Sequence, residues 1–182
     1  MKHKLHCYTH TVYADQVTPI GVYLNIRGLF PGSVLLESSE IDDQKNSHSI
    51  ICAKPIAGIQ LTSVSLTHYY NTQKSEKPIN DIFSIQEDLN EFFNSFEVET
   101  DHEGINGFFG FQSFEAVRYF ETKKANLCEQ ADHELPIIDY RLFQYVISFN
   151  HFNNEIIFIE NSTTANSSTL HKFASNVLSK RS

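Results

Sequence analysis

The residues best suited to binding chemistry lie where an apolar segment gives way to a polar one. Glu37 and Ser38 follow the apolar run 34–36, and His48 precedes the next apolar pair, 50–51. A carboxylate accepts hydrogen bonds from an ammonium group, whereas a hydroxyl and a protonated imidazole donate to a carboxylate. These side chains therefore suit a small zwitterion such as an amino acid. From the spacing alone, a polar strand end facing solvent is the favoured interpretation of the Glu-Ser pair, because such a pair has no specificity.

Binding through His48 would depend on pH. A histidine donates a charged hydrogen bond only while it is protonated, and its ordinary pKa of about 6.5 leaves most of it neutral above pH 7. A ligand carboxylate held by His48 is therefore expected to bind more tightly at pH 6 than at pH 8.

The other chemically active residues form no complete catalytic or metal-binding pattern. His6 and His10 would share one face of a strand, but His3 falls on the other face and no carboxylate or cysteine completes the set. Cys128 lies in a polar stretch without a nearby histidine, and no Gly-x-Ser-x-Gly or phosphate-loop sequence is present. We predict no catalytic residue and no metal site in this chain.

Charge and composition exclude several classes of protein. The 182 residues include 14 Lys or Arg against 22 Asp or Glu, a net charge of −8, which disfavours a nucleic-acid partner. No apolar run is long enough to span a membrane, and the start of the chain lacks the apolar core of a secretory signal. Three cysteines without a CxxC pair fit a reducing compartment. We expect a cytoplasmic protein with no membrane partner.

Hydrophobic periodicity predicts an α+β fold, a mostly antiparallel β-sheet covered by three to four helices. Within the strand predicted at 59–70, the apolar residues switch from one face of the strand to the other between Leu61 and Val64. This switch indicates a bulge or twist. The polar stretch 71–80 is predicted to be a loop. Strands are predicted at 4–12, 33–38, 49–53, 59–70, 141–149 and 155–159, and helices at 19–29, 84–96 and 170–178.

In the segment 107–121, a predicted aromatic strand that contains glycine is followed directly by a short predicted helix. Glycine weakens an ordinary strand, so Gly107 and Gly110 indicate a bulge or a close approach of another backbone. Ser113 is placed to cap the helix that follows.

Segments spread over nearly the whole chain resemble the N-terminal region of anthranilate synthase component I, a family of chorismate-utilising enzymes. The matching segments are 18–23, Leu-Leu-Glu-Ser at 35–38, the fairly specific block 107–121, and Leu135-Pro136 leading into 149–156. The resemblance implies half of a fold with two packed antiparallel sheets. It makes residues 1–162 the N-terminal domain, and residues 163–182 a linker and amphipathic helix leading to an absent catalytic region.

The resemblance also implies a function. The family converts chorismate to anthranilate and pyruvate, a lyase reaction of tryptophan biosynthesis, using Mg2+ and ammonia from a glutamine amidotransferase subunit. Its chorismate and Mg2+ residues lie in the C-terminal chorismate-binding region, so this chain is expected to be inactive alone. Feedback inhibition by L-tryptophan involves the Leu-Leu-Glu-Ser motif, which Glu37 and Ser38 match by position. Relatives often have lysine where this chain has His48.

Three alternatives stay open from the sequence. The chain resembles the related aminodeoxychorismate synthase component I as well, or it is a free-standing amino-acid-binding regulatory module, or it is a purely structural interaction domain. As a piece of a larger enzyme it should expose an apolar face, and self-association into a homo-oligomer through that face is expected.

Overall fold

A computed structural model describes residues 2–13, 17–37, 48–81, 84–99, 104–120, 135–165 and 167–179. The predicted α+β fold with a large, mostly antiparallel sheet is confirmed in these residues. The strands are β1 (His3–Tyr13), β2 (Val34–Glu37), β3 (His48–Leu61), β4 (Ser65–Tyr70), β5 (Gln73–Pro78), β6 (Phe96–Glu99), β7 (Phe108–Gln112), β8 (Ile138–Asn150) and β9 (Glu155–Ser162). The helices are α1 (Pro19–Arg27), α2 (Ser84–Asn94), α3 (Leu170–Ser179) and a 3-10 helix (Phe114–Tyr119).

The strands form one hydrogen-bonded sheet in the order β5-β4-β3-β8-β9-β1-β6, with β2 added to β3 and β7 added to β8. The two longest strands change neighbours along their length. β3 pairs with β2 through residues 49–52 and with β4 through residues 57–61. β8 pairs with β7 through residues 138–142 and with β9 through residues 145–150.

Two segments differ from the predicted elements. The change in the alternation of apolar residues after Leu61 corresponds to a turn between β3 and β4. The Thr62 hydroxyl stabilises this turn by accepting hydrogen bonds from the backbone N–H groups of Val64 at 3.3 Å and Ser65 at 3.0 Å. The polar stretch predicted as a loop contains β5, whose residues are all exposed. Lysines and a terminal proline suit an edge strand, since they disfavour pairing with another chain.

The chain divides into two compact units. Unit 1 contains residues 1–3, 56–97 and 108–142, and unit 2 contains residues 4–55, 98–107 and 143–182. Within the residues described, no helix combines the length and apolar character needed to cross a membrane.

Unit 2 buries its core between the sheet and helices α1 and α3. The ring of Tyr145 stacks on that of Phe173 at 3.9 Å between centroids, which fixes α3 against β8. Thr18 caps α1 by accepting a hydrogen bond from the Gly21 N–H at 3.1 Å. The core comprises Val22, Ile26, Ile51, Ala53, Tyr145, Ile147, Phe149, Ile156, Phe158, Leu170, Phe173, Ala174 and Val177.

Unit 1 is built around aromatic rings. The apolar face of α2 buries Ile85, Leu89 and Phe92, as its periodicity predicts. The Phe92 ring meets the rings of Phe96 at 5.3 Å and Phe108 at 5.7 Å, both edge to face. This geometry is favourable for aromatic pairs, so the cluster joins α2 to β6 and β7.

A buried carboxylate connects β9 to the start of α3. Glu160 is only 1% exposed, and it accepts hydrogen bonds from the Ser168 hydroxyl at 2.8 Å and from the Thr169 N–H and hydroxyl at 2.8 and 2.7 Å. Gln144 donates a fourth at 3.0 Å. Burial alone would raise the pKa of Glu160, but these hydrogen bonds outweigh it and the pKa lies below its ordinary value.

The close approach predicted from glycine is confirmed at Gly110 in β7. A Cβ atom placed there would lie 1.8 Å from the carbonyl oxygen of Asp139 and 2.8 Å from the Cα of Tyr140. Both atoms belong to the backbone of β8, so no side-chain rotation could relieve the collision. Ser113 follows at the N-cap position of the 3-10 helix, but its side chain makes no capping hydrogen bond.

Gly110→Ala should destabilise unit 1 strongly, because β7 must separate from β8 to admit one methyl group. We expect a loss of more than about 3 kcal/mol in the free energy of unfolding, measured by urea denaturation. Gly28→Ala is the matched control, since a Cβ atom there meets nothing within 4 Å. A Gly110→Ala protein as stable as this control would contradict the close pairing of β7 with β8.

Glu160→Gln should cost about 2–3 kcal/mol at pH 7, because the amide brings a donor into a site that already contains four donors. A carboxyl with a lowered folded pKa contributes its stability above its unfolded pKa and loses it as pH falls through the folded value. The difference between wild type and variant in urea denaturation should therefore shrink in acid. The exposed Glu97→Gln is the control, and a pH-independent difference would argue against a buried carboxylate.

Candidate functional site

The predicted ligand residues lie in unit 2, where β2 ends and β3 begins. Glu37 is the last residue of β2 and is exposed, and His48 is the first residue of β3 and is half-buried. Ser38 lies outside the described residues. The side chain of Glu37 is thus exposed to solvent.

The sheet places Glu37 and His48 on opposite faces. Glu37 pairs directly with Ser49 in the β2–β3 ladder, so these two side chains share a face. Successive residues of a strand point to opposite faces, which turns His48 away from that side. A ligand that contacted both residues would therefore have to extend around the end of the strands.

Two imidazole–hydroxyl pairs flank this point. Nδ1 of His48 lies 2.9 Å from Oγ of Ser148, and Nε2 of His151 lies 2.7 Å from Oγ of Ser49. Both serines are at least 98% buried, and a buried hydroxyl needs a partner to offset its loss of water. His48 and His151 thus satisfy polar groups of the core.

The surroundings of His48 disfavour its charged form. Burial lowers the pKa of His48 and the neighbouring His151 lowers it further, while Glu155 opposes them with a smaller raising effect. The pKa of His48 therefore lies below its ordinary value of about 6.5, and the ring is neutral at pH 7. At that pH it can offer a ligand carboxylate only a neutral hydrogen bond.

Ser148 and His151 belong to this polar group but were not predicted from the sequence. They lie 100 and 102 residues from their partners, so no local spacing connects them. The one local signal is Ser148 itself, a polar residue within the otherwise apolar stretch 145–149 of β8. A buried polar residue in such a strand indicates that a hydrogen-bond partner arrives from elsewhere in the fold.

Among the described residues, the histidines at the N-terminus belong to no cluster that could hold a metal ion. His3 belongs to unit 1, whereas His6 and His10 belong to unit 2. Among the residues that the structure describes, no three His, Cys, Asp or Glu side chains come together to hold a metal ion. Cys128 lies outside those residues.

Comparison with known proteins confirms the resemblance found in the sequence. The chain is 27% identical over 159 residues to anthranilate synthase component 1 of Lactococcus lactis subsp. lactis (strain IL1403). Its fold is similar to the crystal structure of anthranilate synthase component I from Streptococcus pneumoniae TIGR4, with a TM-score of 0.51 at 21% identity. No protein-family model matches the chain.

The match covers most of this chain but a minor part of each relative. It includes 84% of this chain and 32% of the Lactococcus protein, and 92% of this chain and 35% of the Streptococcus chain. The chain therefore spans about a third of the length of the relatives it matches, a share that fits their N-terminal region.

Protonation of His48 should weaken the fold. A base whose folded pKa is lowered binds fewer protons folded than unfolded, so stability falls as pH drops below the unfolded value of about 6.5. His48→Gln should remove this part of the pH dependence in urea denaturation between pH 7.5 and 5.5. His171→Gln, an exposed histidine of α3, controls for the loss of an imidazole. Equal pH slopes in wild type and His48→Gln would refute the assignment.

Proposed function

We propose that this chain is the N-terminal, regulatory part of an anthranilate synthase component I, the lyase that converts chorismate to anthranilate and pyruvate in tryptophan biosynthesis. The observation that carries the proposal is the alignment with the Lactococcus enzyme over 84% of this chain, and the shared fold supports it. A biosynthetic role of this kind also agrees with a cytoplasmic location.

In this proposal the chemistry belongs to the remaining part of the enzyme. The described residues do not fit a Mg2+ site, because no three acidic, histidine or cysteine side chains converge among them. The proposed chorismate-binding region would hold Mg2+ and substrate, and a glutamine amidotransferase subunit would supply ammonia. This chain would contribute part of the scaffold and the regulatory ligand site, and would be inactive by itself.

An exposed apolar surface in unit 1 supports a partner of this kind. Phe111 of β7 is 47% exposed, Phe114 of the 3-10 helix 79%, Phe120 41% and Leu135 73%. Exposed large apolar side chains suit a surface that another protein region covers. We assign this surface to the chorismate-binding region of the same enzyme, and in its absence to self-association as a homo-oligomer.

L-Tryptophan is the proposed regulatory ligand. Glu37 offers an exposed carboxylate for the ligand ammonium group, and Ser38 lies next to it in sequence. His48 completes the predicted set, with a neutral ring that is already bonded to Ser148. The electrostatic part of binding therefore rests on Glu37.

Calorimetric titration with L-tryptophan tests this proposal. We expect saturable binding that Glu37→Gln weakens about tenfold, since a charge-assisted hydrogen bond is replaced by a neutral one. Ser38→Ala should also weaken it, whereas the exposed Glu97→Gln should not. Because the pKa of His48 is lowered, the affinity should be the same at pH 7 and pH 8, and any contribution from His48 should appear only below about pH 6.5.

Two outcomes would contradict the regulatory role. One is the lack of binding at millimolar L-tryptophan, and the other is binding that neither Glu37→Gln nor Ser38→Ala affects. Binding without these effects would place the ligand elsewhere on the chain.

A further inference from the structure

The dipeptide Asn106-Gly107, just before β7, is the one Asn-Gly pair in the sequence. The backbone nitrogen that follows an asparagine can attack the carbon of the side-chain amide, and glycine hinders this attack least because it lacks a Cβ atom. The backbone favours glycine here, since Gly107 has a φ of 150°, a conformation that other residues rarely adopt. A Cβ atom at Gly107 would also meet nothing within 4 Å, so the surroundings of this peptide group are open. Asn106 is therefore followed by the residue that hinders this reaction least.

The side chain of Asn106 forms a reciprocal pair of hydrogen bonds with the side chain of Asn161 in β9. Nδ2 of Asn106 donates to Oδ1 of Asn161 at 2.9 Å, and Nδ2 of Asn161 donates to Oδ1 of Asn106 at 2.9 Å. Nδ2 of Asn106 also donates a weaker hydrogen bond to Sγ of Cys7 at 3.6 Å. Attack by Gly107 draws the amide carbon onto the backbone nitrogen, a movement that breaks the pair. The pair therefore protects Asn106 while it is formed.

The orientation of the Asn161 amide is fixed by the core of unit 2. Asn161 is only 1% exposed, and its Nδ2 donates a second hydrogen bond to the carbonyl oxygen of Phe143 at 2.9 Å. If the amide turned over, Oδ1 would face this carbonyl oxygen and a buried acceptor would lose its donor. Oδ1 of Asn161 must therefore face Asn106, where it requires a donor.

We propose that Asn106 is a site of spontaneous deamidation, and that its pair with Asn161 controls the reaction. When the pair opens, the Gly107 nitrogen bonds to Cγ of Asn106, and the side-chain nitrogen leaves as ammonia with the proton that Gly107 loses. The product is a cyclic succinimide. Water then opens the ring at either carbonyl and leaves aspartate or isoaspartate, so the net change consumes water and releases ammonia. The residues involved all belong to unit 2, and the inference does not rest on the proposed function.

The reaction prevents the pair from forming again. In the aspartate product an oxygen replaces Nδ2 of Asn106, so a carboxylate oxygen faces Oδ1 of Asn161, which cannot turn away from it. Two acceptors at hydrogen-bond distance repel each other, and the carboxylate also loses hydration there. Isoaspartate lengthens the main chain by a methylene group before Gly107. Deamidation therefore converts a temporary opening of this segment into a permanent one.

The test follows deamidation of the whole chain by peptide mapping with mass spectrometry, which separates Asn106 from its aspartate and isoaspartate products. Folded protein and protein unfolded in guanidinium chloride are incubated in the same mildly alkaline buffer. We expect Asn106 to react about tenfold more slowly, or slower still, in the folded protein, because the pair must first open. Asn154 is the internal control, since it is exposed and is followed by Glu155, and its rate should differ far less between the two samples.

Asn161→Ser tests the control that the pair exerts, because it removes the amide that holds Asn106. In this variant Asn106 should deamidate several-fold faster than in folded wild type, and circular dichroism checks that the variant is folded. The comparison of folded with unfolded wild type does not depend on this variant.

Asn106→Asp reproduces the aspartate product, and we expect it to unfold at a lower urea concentration than wild type at neutral pH. The Oδ1 of Asn161 should raise the folded pKa of this carboxyl, because only its protonated form can donate a hydrogen bond. The loss of stability should therefore shrink as pH falls through the folded pKa towards the unfolded value of about 4. Asn154→Asp, at an exposed position of the same unit, is the control and should change little.

Three results would overturn the proposal. The first is deamidation of Asn106 at equal rates in folded and unfolded protein, which would show that the fold does not protect it. The second is an unchanged rate in folded Asn161→Ser, which would show that the amide pair is not the control. The third is an Asn106→Asp protein as stable as wild type at neutral pH, which would show that the product fits the site.

Discussion

The long strand β8 imposes the main constraint on this structure. Most of its thirteen residues are buried, so both of its faces must be apolar or satisfied by specific partners. Its two buried polar side chains meet this requirement differently. Asp139 accepts hydrogen bonds from the guanidinium of Arg141 at 2.9 and 2.6 Å, two residues along the same strand, whereas Ser148 is paired with His48. The backbone at Asp139 is also approached so closely that β7 must carry glycine at position 110.

The same need for satisfied polar groups explains where charge is buried in unit 2. Glu160 remains ionised within the fold because four donors surround it, two of them from Thr169 at the start of α3. The carboxylate thus supplies hydrogen bonds that the first turn of a helix otherwise lacks. His48 at the start of β3 and His151 just after β8 serve the buried hydroxyls of Ser148 and Ser49 in a similar way. These polar groups of unit 2 therefore support the fold, whereas the exposed side chain of Glu37 extends into solvent.

Structural features that depend on a local sequence pattern were predicted, whereas features that depend on contacts between distant segments were missed. α1, α2 and α3 follow from hydrophobic periodicity, and the close approach at Gly110 follows from the rarity of glycine in strands. β5 could not be predicted, because its polar residues fit an exposed edge strand and a loop equally well. The separation of Glu37 and His48 onto two faces follows from the register between β2 and β3, which their own sequence does not reveal. The pairing of His48 with Ser148 near the end of β8 is likewise a product of the sheet.

At Glu37 the sheet holds the backbone in place while the side chain stays exposed to a ligand. Its backbone is held by the ladder in which Leu35 pairs with Ile51, Leu36 with Ile50 and Glu37 with Ser49. Because Ile51 and Ser49 are buried, the end of β2 cannot move without disturbing the core. Only the exposed side chain would lose freedom when a ligand binds, at a cost of about 1–2 kcal/mol, which one charge-assisted hydrogen bond can offset. A contact at this point therefore combines a fixed position with an accessible charge, which is what recognition of a small ammonium-bearing ligand requires.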